Sequence, residues 1–208
     1  DVQLAQAEIE NFIINNLMLK VDQDLVTGDG NAPNIKGIYT YATAFDPATY
    51  VAAGKYQPVD ASLYDLIVLL ATEIMSDSKY FVDTVILNPS DVMKMRLKKD
   101  SNNNYIVPPF VLNRDGANMM VDNIKVVSSA SQTINTLTIG DFTKARRYFA
   151  EQINLEFGYN LTGDFAKRIL TLLGNVSELL LVRTAEADAF LKSTDIASDL
   201  AAINYSAS

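Results

Sequence analysis

Apolar residues recur at helical spacing in two segments of the chain. In the first segment, steps of three to five residues predict a long helix from about residue 3 to about residue 25, ending before Gly28. In the second segment, the spacing is i, i+3, i+4, i+7 and i+11, and Asp60 or Ser62 is available as the N-cap. The predicted apolar faces consist of Leu4, Ile9, Phe12, Ile13, Leu17 and Val21 in the first helix and of Leu63, Leu66, Ile67, Leu70 and Ile74 in the second.

Short apolar runs elsewhere in the chain predict β-strands. The run "VDTVILN" is β-branched and stops at Pro89, after which Ser90 and Asp91 are suited to capping a short helix through Leu97. Further strands are predicted around residues 38–44 and in "IKVVSS", "TLTIGDF" and "AEQINLEFG". The pattern therefore predicts a mixture of helices and strands, with a C-terminal half rich in strands.

Two stretches have no regular periodicity. The first, "FDPATYVAAGKYQPVD", contains two prolines and a glycine, and we interpret it as an irregular connection and a possible domain boundary. The second covers residues 100–116, where asparagines, adjacent prolines and "NRDG" predict a long loop or a projecting hairpin. A loop of that length is a candidate contact with a neighbouring molecule.

The segment "DFAKRILTLLGNVSELLLV" fits more than one structure. Its apolar residues follow helical spacing, but Gly174 and Asn175 interrupt the pattern midway. Periodicity alone favours a helix here.

Composition narrows the possible chemistry. The 208 residues include no cysteine and no histidine, which removes thiolate nucleophiles, zinc–thiolate sites and the usual general base. The net charge of −8 disfavours tight binding to nucleic acid or to an anionic membrane. The sequence contains no membrane-spanning run and no export signal. The lack of cysteine and histidine favours a protein that is not an enzyme.

Three sequence patterns resemble ligand sites but fail in detail. The loop "GDGNAPNIKGI" follows a helix and opens a strand, whereas a phosphate loop must follow a strand and open a helix. Segments starting at Asp22 and Asp100 imitate calcium loops but lack essential residues. Val26 and Val111 stand where a calcium ligand is required, and Tyr105 stands where the loop requires glycine. We therefore predict no catalytic, cofactor-binding or metal-binding residue.

Two basic runs, "KMRLKK" at 94–99 and "KARR" at 144–147, are the remaining candidates for a charged site. In a chain of net charge −8, a solvated face or a salt bridge at a subunit contact is the better interpretation of both than a nucleic-acid site.

Taken in order, several segments resemble the major capsid proteins of tailed bacteriophages, which have the Hong Kong 97-type fold. The long helix runs into "NAPNIKGI", where members of this family carry a glycine-rich turn followed by a strand. The segments "VILNPSDVMKMRLKKDSNNNYIVPP", "TIGDF" and "VRTAEADAF" are similar to later segments of the family in the same order. Matching positions include Asn88, Pro89, Lys99, Asp100, Tyr105, Gly140 and Phe142. The chain departs from the family at Asn123 and Lys125, where many members have Gly and Pro.

The resemblance implies an α+β fold with a long spine helix on a β-sheet. Gly28, Gly30 and Gly37 would end that helix and turn the chain into the sheet, and residues 165–184 would form strands. The expected peripheral domain comprises residues 1–60 and 142–176, and the expected axial domain comprises residues 61–141 and 177–208. Because the chain begins at Asp1 inside the helical pattern, we expect an N-terminally truncated form that lacks the family's N-terminal arm and extended loop.

The function implied by the resemblance is that of a structural major capsid subunit that self-assembles into the icosahedral head of a tailed phage or prophage. It would be made in the bacterial host cytoplasm and reside in the virion capsid. Its partners would be further copies of itself, without a cofactor, specific nucleic acid, membrane or small-molecule substrate. We expect the 208-residue form to be a monomer or small oligomer at micromolar concentration and a form extended upstream to build shells.

Two alternatives stay open. The first is the shell protein of an encapsulin-type bacterial compartment, which would share the fold. The second, from a different class, is an acidic ligand-binding or carbohydrate-active domain with two carboxylates facing each other across a cleft.

Overall fold

Helices and strands follow one another along the whole of the computed structural model, which describes residues 2–99, 102–106, 119–158, 167 and 170–205. The chain divides into two compact units, of which unit 1 comprises residues 1–37 and 146–181 and unit 2 comprises residues 38–145 and 182–208. The helices are α1 (Val2–Thr27), α2 (Ile38–Tyr41), α3 (Pro47–Ala52), α4 (Leu63–Asp77), α5 (Pro89–Arg96) and α6 (Ile196–Ile203). The strands are β1 (Thr43–Ala44), β2 (Thr84–Leu87), β3 (Met119–Val121), β4 (Ile124–Ser128), β5 (Leu137–Gly140), β6 (Arg146–Gly158), β7 (Thr171–Leu181) and β8 (Phe190–Ser193).

Unit 1 consists of the long helix α1 and an antiparallel hairpin formed by β6 and β7. The predicted first helix is confirmed, and it ends at Thr27, before Gly28, as expected. The predicted strand "AEQINLEFG" is also confirmed as part of β6. Residues 171–181 form a strand, so the prediction of a helix from periodicity is wrong there. The strand expected from the family resemblance is confirmed for these residues. Residues 165, 166, 168 and 169 lie outside the described part of the chain.

Unit 2 is built on a six-stranded sheet in the order β1-β8-β5-β2-β4-β3. The pairs β1–β8 and β2–β4 are parallel and the other pairs are antiparallel. The central strands β2 and β5 bury their apolar side chains fully, because α4 packs on the sheet with the face predicted from its periodicity. The buried residues of this core include Val85, Leu87, Leu137 and Ile139 from the sheet and Leu66, Ile67, Leu70 and Ile74 from α4. The predicted strands in "VDTVILN", "IKVVSS" and "TLTIGDF" are confirmed.

Helix α4 begins with a capping box. The Ser62 hydroxyl accepts a hydrogen bond from the backbone N–H of Asp65, and the Asp65 carboxylate accepts one of 2.8 Å from the backbone N–H of Ser62. The reciprocal bonds satisfy two N–H groups that the first helical turn leaves without partners. Of the two predicted caps, Ser62 is the one used, whereas Asp60 lies before the helix with a positive φ of 53°.

The predicted cap of α5 is wrong. The helix starts at Pro89, one residue after the true N-cap Asn88, whose side chain accepts from the N–H of Ser90 at 2.9 Å. Proline favours the first helical position because its missing N–H would have no intrahelical partner there. Asp91 lies inside the helix, buried, and accepts hydrogen bonds from the Lys94 ammonium at 2.8 Å and from the N–H of Asn135 at 2.6 Å. It therefore anchors α5 to the loop before β5.

The predicted strand at residues 38–44 is wrong over most of its length. Residues Ile38–Tyr41 form the single turn α2, and the strand β1 is limited to Thr43–Ala44. The ammonium of Lys192, on the neighbouring strand β8, lies 4.5 Å from the Tyr39 ring centroid and donates a hydrogen bond to the Tyr39 carbonyl. This tertiary contact satisfies a carbonyl that a β-ladder would otherwise have used.

The turn between β3 and β4 accommodates the departure from the family pattern at Asn123. Val121 and Ile124 form the closing pair, and the two residues between them, Asp122 and Asn123, have φ of 48° and 66°. Two consecutive left-handed residues are the signature of a type I′ hairpin turn, in which Asn and Asp are tolerated. Lys125 then lies in β4, where its N–H donates to the carbonyl of Asp83.

The predicted long loop at residues 100–116 lies mostly outside the described residues. Within it, Lys99 and Tyr105 form an isolated antiparallel bridge, and the N–H of Ile106 donates to the carbonyl of Lys98. None of the helices in the described ranges has the length and hydropathy of a bilayer-spanning segment.

The two compact units do not divide the chain where the expected domains do. The unit boundaries fall at 37/38, 145/146 and 181/182, whereas the expected peripheral and axial domains meet at 60/61, 141/142 and 176/177. The stretch "FDPATYVAAGKYQPVD" lies within unit 2 and contains helix α3, which Asp46 caps. The assignment of peripheral and axial domains stays a prediction.

Burial of Asp199 gives unit 2 a testable pH dependence. Burial raises the pKa of Asp199, although its hydrogen bond from the Ser193 hydroxyl at 2.5 Å opposes the rise and the nearby Asp195 adds to it. The folded state therefore holds this proton more tightly than the unfolded state, so Asp199 costs stability as the pH rises through and above its unfolded value of about 3.8. We expect Asp199→Asn, relative to the parent chain, to raise the melting temperature more at pH 7 than at pH 4.

The measurement is thermal unfolding by circular dichroism at several pH values. Asp29, Asp46 and Asp195 have lowered pKa values and act in the opposite direction, so the informative quantity is the difference between the variant and the parent chain. A difference that is the same at pH 4 and pH 7 would contradict the prediction.

Candidate assembly surface

One apolar stripe of α1 packs on the hairpin of unit 1. Ile13, Leu17 and Val21, spaced four residues apart, are half-buried, and Gly174 of β7 lies directly beneath the first two. A Cβ at Gly174 would lie 2.5 Å from Leu17 Cδ1 and 2.9 Å from Ile13 Cγ2, which is closer than van der Waals contact allows. The glycine that interrupts the predicted helical pattern is therefore where α1 approaches the hairpin most closely.

A second apolar stripe of α1 is exposed. Ile9, Phe12 and Leu19 are spaced by three and seven residues, so they share one side of the helix, and Phe12 is 68% exposed. Ile9 lies one helical turn before Ile13 and on the same side, whereas Phe12 lies about 100° around the helix from Ile13, so the predicted apolar face is a wide arc of which one edge packs on the hairpin and the other is exposed. A helix that is apolar on more than one side is typical of a buried helix.

The hairpin face that points away from α1 also exposes apolar side chains. Leu173 is adjacent to Gly174 and therefore points to the opposite face of β7, and Leu179 has the same parity. Leu179 pairs across the hairpin with Tyr148, and all three side chains are about half exposed. We call Ile9, Phe12 and Leu19 the helix stripe, and Tyr148, Leu173 and Leu179 the strand patch.

Unit 1 contrasts with unit 2 in how little apolar surface it buries. Among the described residues of unit 1, Leu180 is the one apolar side chain that is fully buried, whereas the described core of unit 2 is continuous. A two-stranded hairpin with both edges unpaired is marginal on its own. Exposed apolar patches on such a unit are typical of sites of protein–protein contact.

An ion pair joins the two strands of the hairpin beside the helix. Arg147 donates from Nε and Nη2 to Glu178 Oε2 at 2.7 and 2.6 Å, and its guanidinium lies 4.4 Å from the Phe149 ring centroid. The Glu178 side chain is only 4% exposed. Arg147 and Phe149 also line a groove of about 460 Å³ between α1 and the hairpin, together with Met18, Val21, Asp22, Gln152, Ile153 and Val176.

The turn after α1 depends on two glycines that touch each other. A Cβ at Gly28 would overlap the carbonyl oxygens of Asp24 and Ile35, and one at Gly37 would lie 2.5 Å from the Gly28 nitrogen. Gly30 has a positive φ of 78°, and Asp29 and Lys36 form an antiparallel bridge around it. The predicted conformational role of the three glycines is confirmed, although the chain continues into α2 rather than into a strand.

Hydrogen bonds among its own polar groups hold the turn together. The backbone N–H and side-chain amide of Asn31, followed by the side chain of Asn34, donate to the Asp29 carboxylate and hold its pKa below the usual value. In the described part of the chain, no group of three acidic residues has the arrangement that could hold a metal ion. The absence of catalytic, cofactor and metal sites stays a prediction.

A cleft of about 320 Å³ in unit 2 contains the acidic residues that the carbohydrate-active alternative would need. Asp46, Glu73, Asp77 and Asp188 line it. Asp46 caps α3, and the Thr49 hydroxyl and the Ala48 N–H help to lower its pKa, while Glu73 is ion-paired with Lys55 at 2.5 Å. Two of the four carboxylates therefore already have structural roles.

The two basic runs have partners within the chain. In "KMRLKK", Lys94 pairs with Asp91, and the ammonium of Lys99 lies 4.7 Å from the Tyr105 ring centroid. In "KARR", Lys144 lies over the Tyr80 ring and Arg147 pairs with Glu178. Glu178 is not predictable from the sequence as the partner of Arg147, because the pairing depends on the register of β6 and β7.

Comparison with known proteins shows what the chain is similar to. Residues 1–171 match the phage capsid family. The major capsid protein of Enterobacteria phage HK97 is 26% identical over 179 residues, which cover 83% of this chain and 42% of that protein. The chain therefore spans less than half the length of this curated relative.

Solved structures show the same fold at low sequence identity. A chain from Gordonia phage Cozz matches with a TM-score of 0.63 and 14% identity, covering 92% of this chain and 65% of that one. A chain from the capsid of an empty GTA particle matches with a TM-score of 0.61 and 12% identity, covering 90% and 65%. The expected α+β capsid fold of the Hong Kong 97 type is confirmed by these matches. With the match over residues 1–171, the chain belongs to the phage capsid family.

Proposed function

We propose that this chain is the structural core of a major capsid subunit, and that it contacts neighbouring copies through the helix stripe and the strand patch of unit 1. The observation that carries the proposal is the exposed apolar surface of a unit that buries almost no apolar side chain of its own among its described residues. Membership of the phage capsid family supports the shell role. In that role the protein is made in the bacterial host cytoplasm and resides in the virion capsid.

The proposed role needs no chemistry at a site. The chain has no histidine and no cysteine, and the four carboxylates of the acidic cleft include two with structural partners. We propose that its specific partners are further copies of itself, and that it has no dedicated nucleic-acid, membrane or small-molecule site. The encapsulin-type compartment remains the alternative within the fold, and a neighbouring gene for a cargo enzyme rather than for packaging proteins would favour it.

Replacing residues of the helix stripe by acids should weaken self-association. Phe12→Glu/Leu19→Glu places two carboxylates on a surface that a neighbour would cover, and each buried large apolar side chain contributes about 2 kcal/mol. We expect the concentration for half-association to rise by at least about tenfold, which corresponds to about 1.4 kcal/mol. Sedimentation velocity from micromolar to millimolar concentration, at low and high salt, measures this.

The matched control is Ala7→Glu/Asn11→Glu. These residues are also exposed on α1 but lie about 80° or more around the helix from each residue of the helix stripe, so the control adds the same charge away from the stripe. Equal association of the two double variants would contradict the proposal. Because Phe12 and Leu19 are exposed in the single chain, circular dichroism should show both variants folded.

A further inference from the structure

Helix α5 exposes two apolar side chains on the side that faces away from the core of unit 2. Val92 and Met95 are buried, whereas Met93 and Leu97 are more than half exposed. The N–H of Leu97 donates to the carbonyl of Met93 at 3.0 Å, so the two side chains lie one helical turn apart on the same side. The end of α5 therefore presents a short apolar strip to solvent.

Positive charge surrounds this apolar strip. Residues 94–99 contain four of the 17 lysine and arginine residues and no acid, although the net charge of the chain is −8. Lys94 pairs with Asp91, but its side chain stays 62% exposed. Arg96 and Lys98 form no ion pair with another residue of the described ranges. This part of an acidic protein is therefore locally basic.

The segment after the basic run adds aromatic and aliphatic surface beside the end of α5. Lys99 and Tyr105 form an antiparallel bridge, and the N–H of Ile106 donates to the carbonyl of Lys98 at 2.9 Å. Tyr105 is 59% exposed, and the Lys99 ammonium lies 4.7 Å from its ring centroid. We call Met93, Arg96, Leu97, Lys99 and Tyr105 the basic–apolar surface.

Ordinary structural roles account for only part of this surface. Lys94 and Arg96 lie in the last turn of α5, where positive charge interacts favourably with the helix dipole, but that role does not require Met93 and Leu97 to be exposed. A phosphate backbone would attract the cations and leave the apolar pair unused. A bilayer surface takes up a helix along its apolar face, whereas the other apolar side of α5 is buried in unit 2. The combination fits a protein surface that offers both apolar side chains and carboxylates.

We propose that the basic–apolar surface binds an acidic amphipathic segment of a second, different protein. The apolar side chains of that segment cover Met93 and Leu97, and its carboxylates pair with Arg96 and Lys99. Exposed methionine suits such a contact, because its unbranched side chain adapts to the shape of the partner. This inference goes beyond the proposed function, in which copies of the chain meet through unit 1, and it adds a partner at unit 2.

The test uses a synthetic helical peptide that has leucines on one face and glutamates on the other. A peptide of about 18 residues, or roughly five turns, is long enough to span the exposed side of α5. Fluorescence anisotropy measures its dissociation constant for the full chain, beside that of a second peptide in which serines replace the leucines. We expect the leucine peptide to bind at least about tenfold more tightly, and to bind more weakly as the salt concentration rises.

A matched pair of variants tests the apolar part of the surface. Met93→Ser/Leu97→Ser should weaken binding of the leucine peptide at least about tenfold, because it removes the side chains that the leucines cover. Met75→Ser/Phe81→Ser also removes two exposed apolar side chains of unit 2, and it should change the affinity less than about twofold. Because all four side chains are exposed in the folded chain, circular dichroism should show both variants folded.

A second matched pair tests the charge. Arg96→Glu/Lys99→Glu should weaken binding of the leucine peptide at least about tenfold, because glutamates of the peptide then face glutamates of the chain. Lys79→Glu/Lys125→Glu makes the same change of net charge at exposed positions elsewhere on unit 2, so it should weaken binding much less.

The inference fails if the leucine peptide does not recognise both features of the surface. No binding, equal affinity for the two peptides, or equal losses within either pair of variants would overturn it. Tighter binding of duplex DNA, or of vesicles containing phosphatidylserine, than of the leucine peptide in about 0.15 M salt would assign the surface to phosphate groups instead. Weaker self-association of Met93→Ser/Leu97→Ser in sedimentation velocity would show that copies of the chain cover this surface, and would leave the shell function standing.

Discussion

Replacing Gly28 by valine will lower the free energy of unfolding by about 3 kcal/mol or more. The first side-chain atom alone would overlap the carbonyl oxygens of Asp24 and Ile35, and both belong to the backbone. Backbone atoms cannot rotate away as the end of a flexible side chain can. Relief therefore requires opening the turn, with loss of the hydrogen bonds from Gly28 to Asp24 and from Gly37 to Gly28.

The matched control for Gly28→Val is Gly158→Val. Gly158 ends β6 and needs no left-handed backbone, and within the described ranges no atom lies within 4 Å of the position that its Cβ would take. Valine also favours strands, so this variant should differ from the parent chain by less than about 0.5 kcal/mol. Urea denaturation followed by far-ultraviolet circular dichroism measures both changes, and similar losses at the two positions would refute the role assigned to the turn.

The second large effect is expected at the ion pair of the hairpin. Arg147→Leu removes the cation that donates both hydrogen bonds to Glu178 Oε2. The Glu178 carboxylate, whose side chain is only 4% exposed, then has no cationic partner there. Removing the cation leaves the Glu178 charge desolvated without compensation. Because the Arg147 side chain is 39% exposed, water can reach the vacated position, and we expect a loss of about 1–3 kcal/mol. Since Glu178 Oε1 is buried with no hydrogen-bond partner in the described part of the chain, no second donor is positioned to take over.

The double variant Arg147→Leu/Glu178→Leu separates the pair from its surroundings. Replacing both charges by apolar groups of similar size is often neutral, so we expect the double variant to recover most of the stability that the single variant loses. Denaturant unfolding of the parent chain, both single variants and the double variant gives the four free energies of a double-mutant cycle. A double variant as unstable as Arg147→Leu would mean that stacking of the guanidinium on the Phe149 ring, and not its ion pair with Glu178, is what matters.

Local sequence rules predicted those elements whose determinants lie close together in the chain. Helix α4 is one example, because its apolar face and its Ser62 cap are encoded within 16 residues, from Ser62 to Asp77. The failure at β7 has a definite cause. Leu172, Val176 and Leu180 are four residues apart, and a spacing of four residues fits both the helical period and the strand period of two.

The candidate assembly surface was predictable only in part. The apolar residues of α1 are visible in the sequence, but which of them pack on the hairpin depends on Gly174, about 160 residues further along the chain. The pairing of Arg147 with Glu178 likewise depends on a register that the bulges of β6 shift. Exposure of Phe12 and Leu19 is a property of the folded single chain, and local periodicity contains no information about it.

The interleaving of the two units along the chain has a consequence for synthesis. Helix α1 packs on β7, yet all of residues 38–145 of unit 2 are translated between the two parts of unit 1. At the usual rate of translation, of about 5–20 residues per second, α1 waits roughly 10–30 s with both apolar stripes in water before β7 follows. During that interval unit 2 also lacks β8, the strand between β1 and β5, which is translated after β7. The nascent chain thus presents unburied apolar surface until its last strands emerge, and it is in this window that a holdase chaperone would protect it from aggregation.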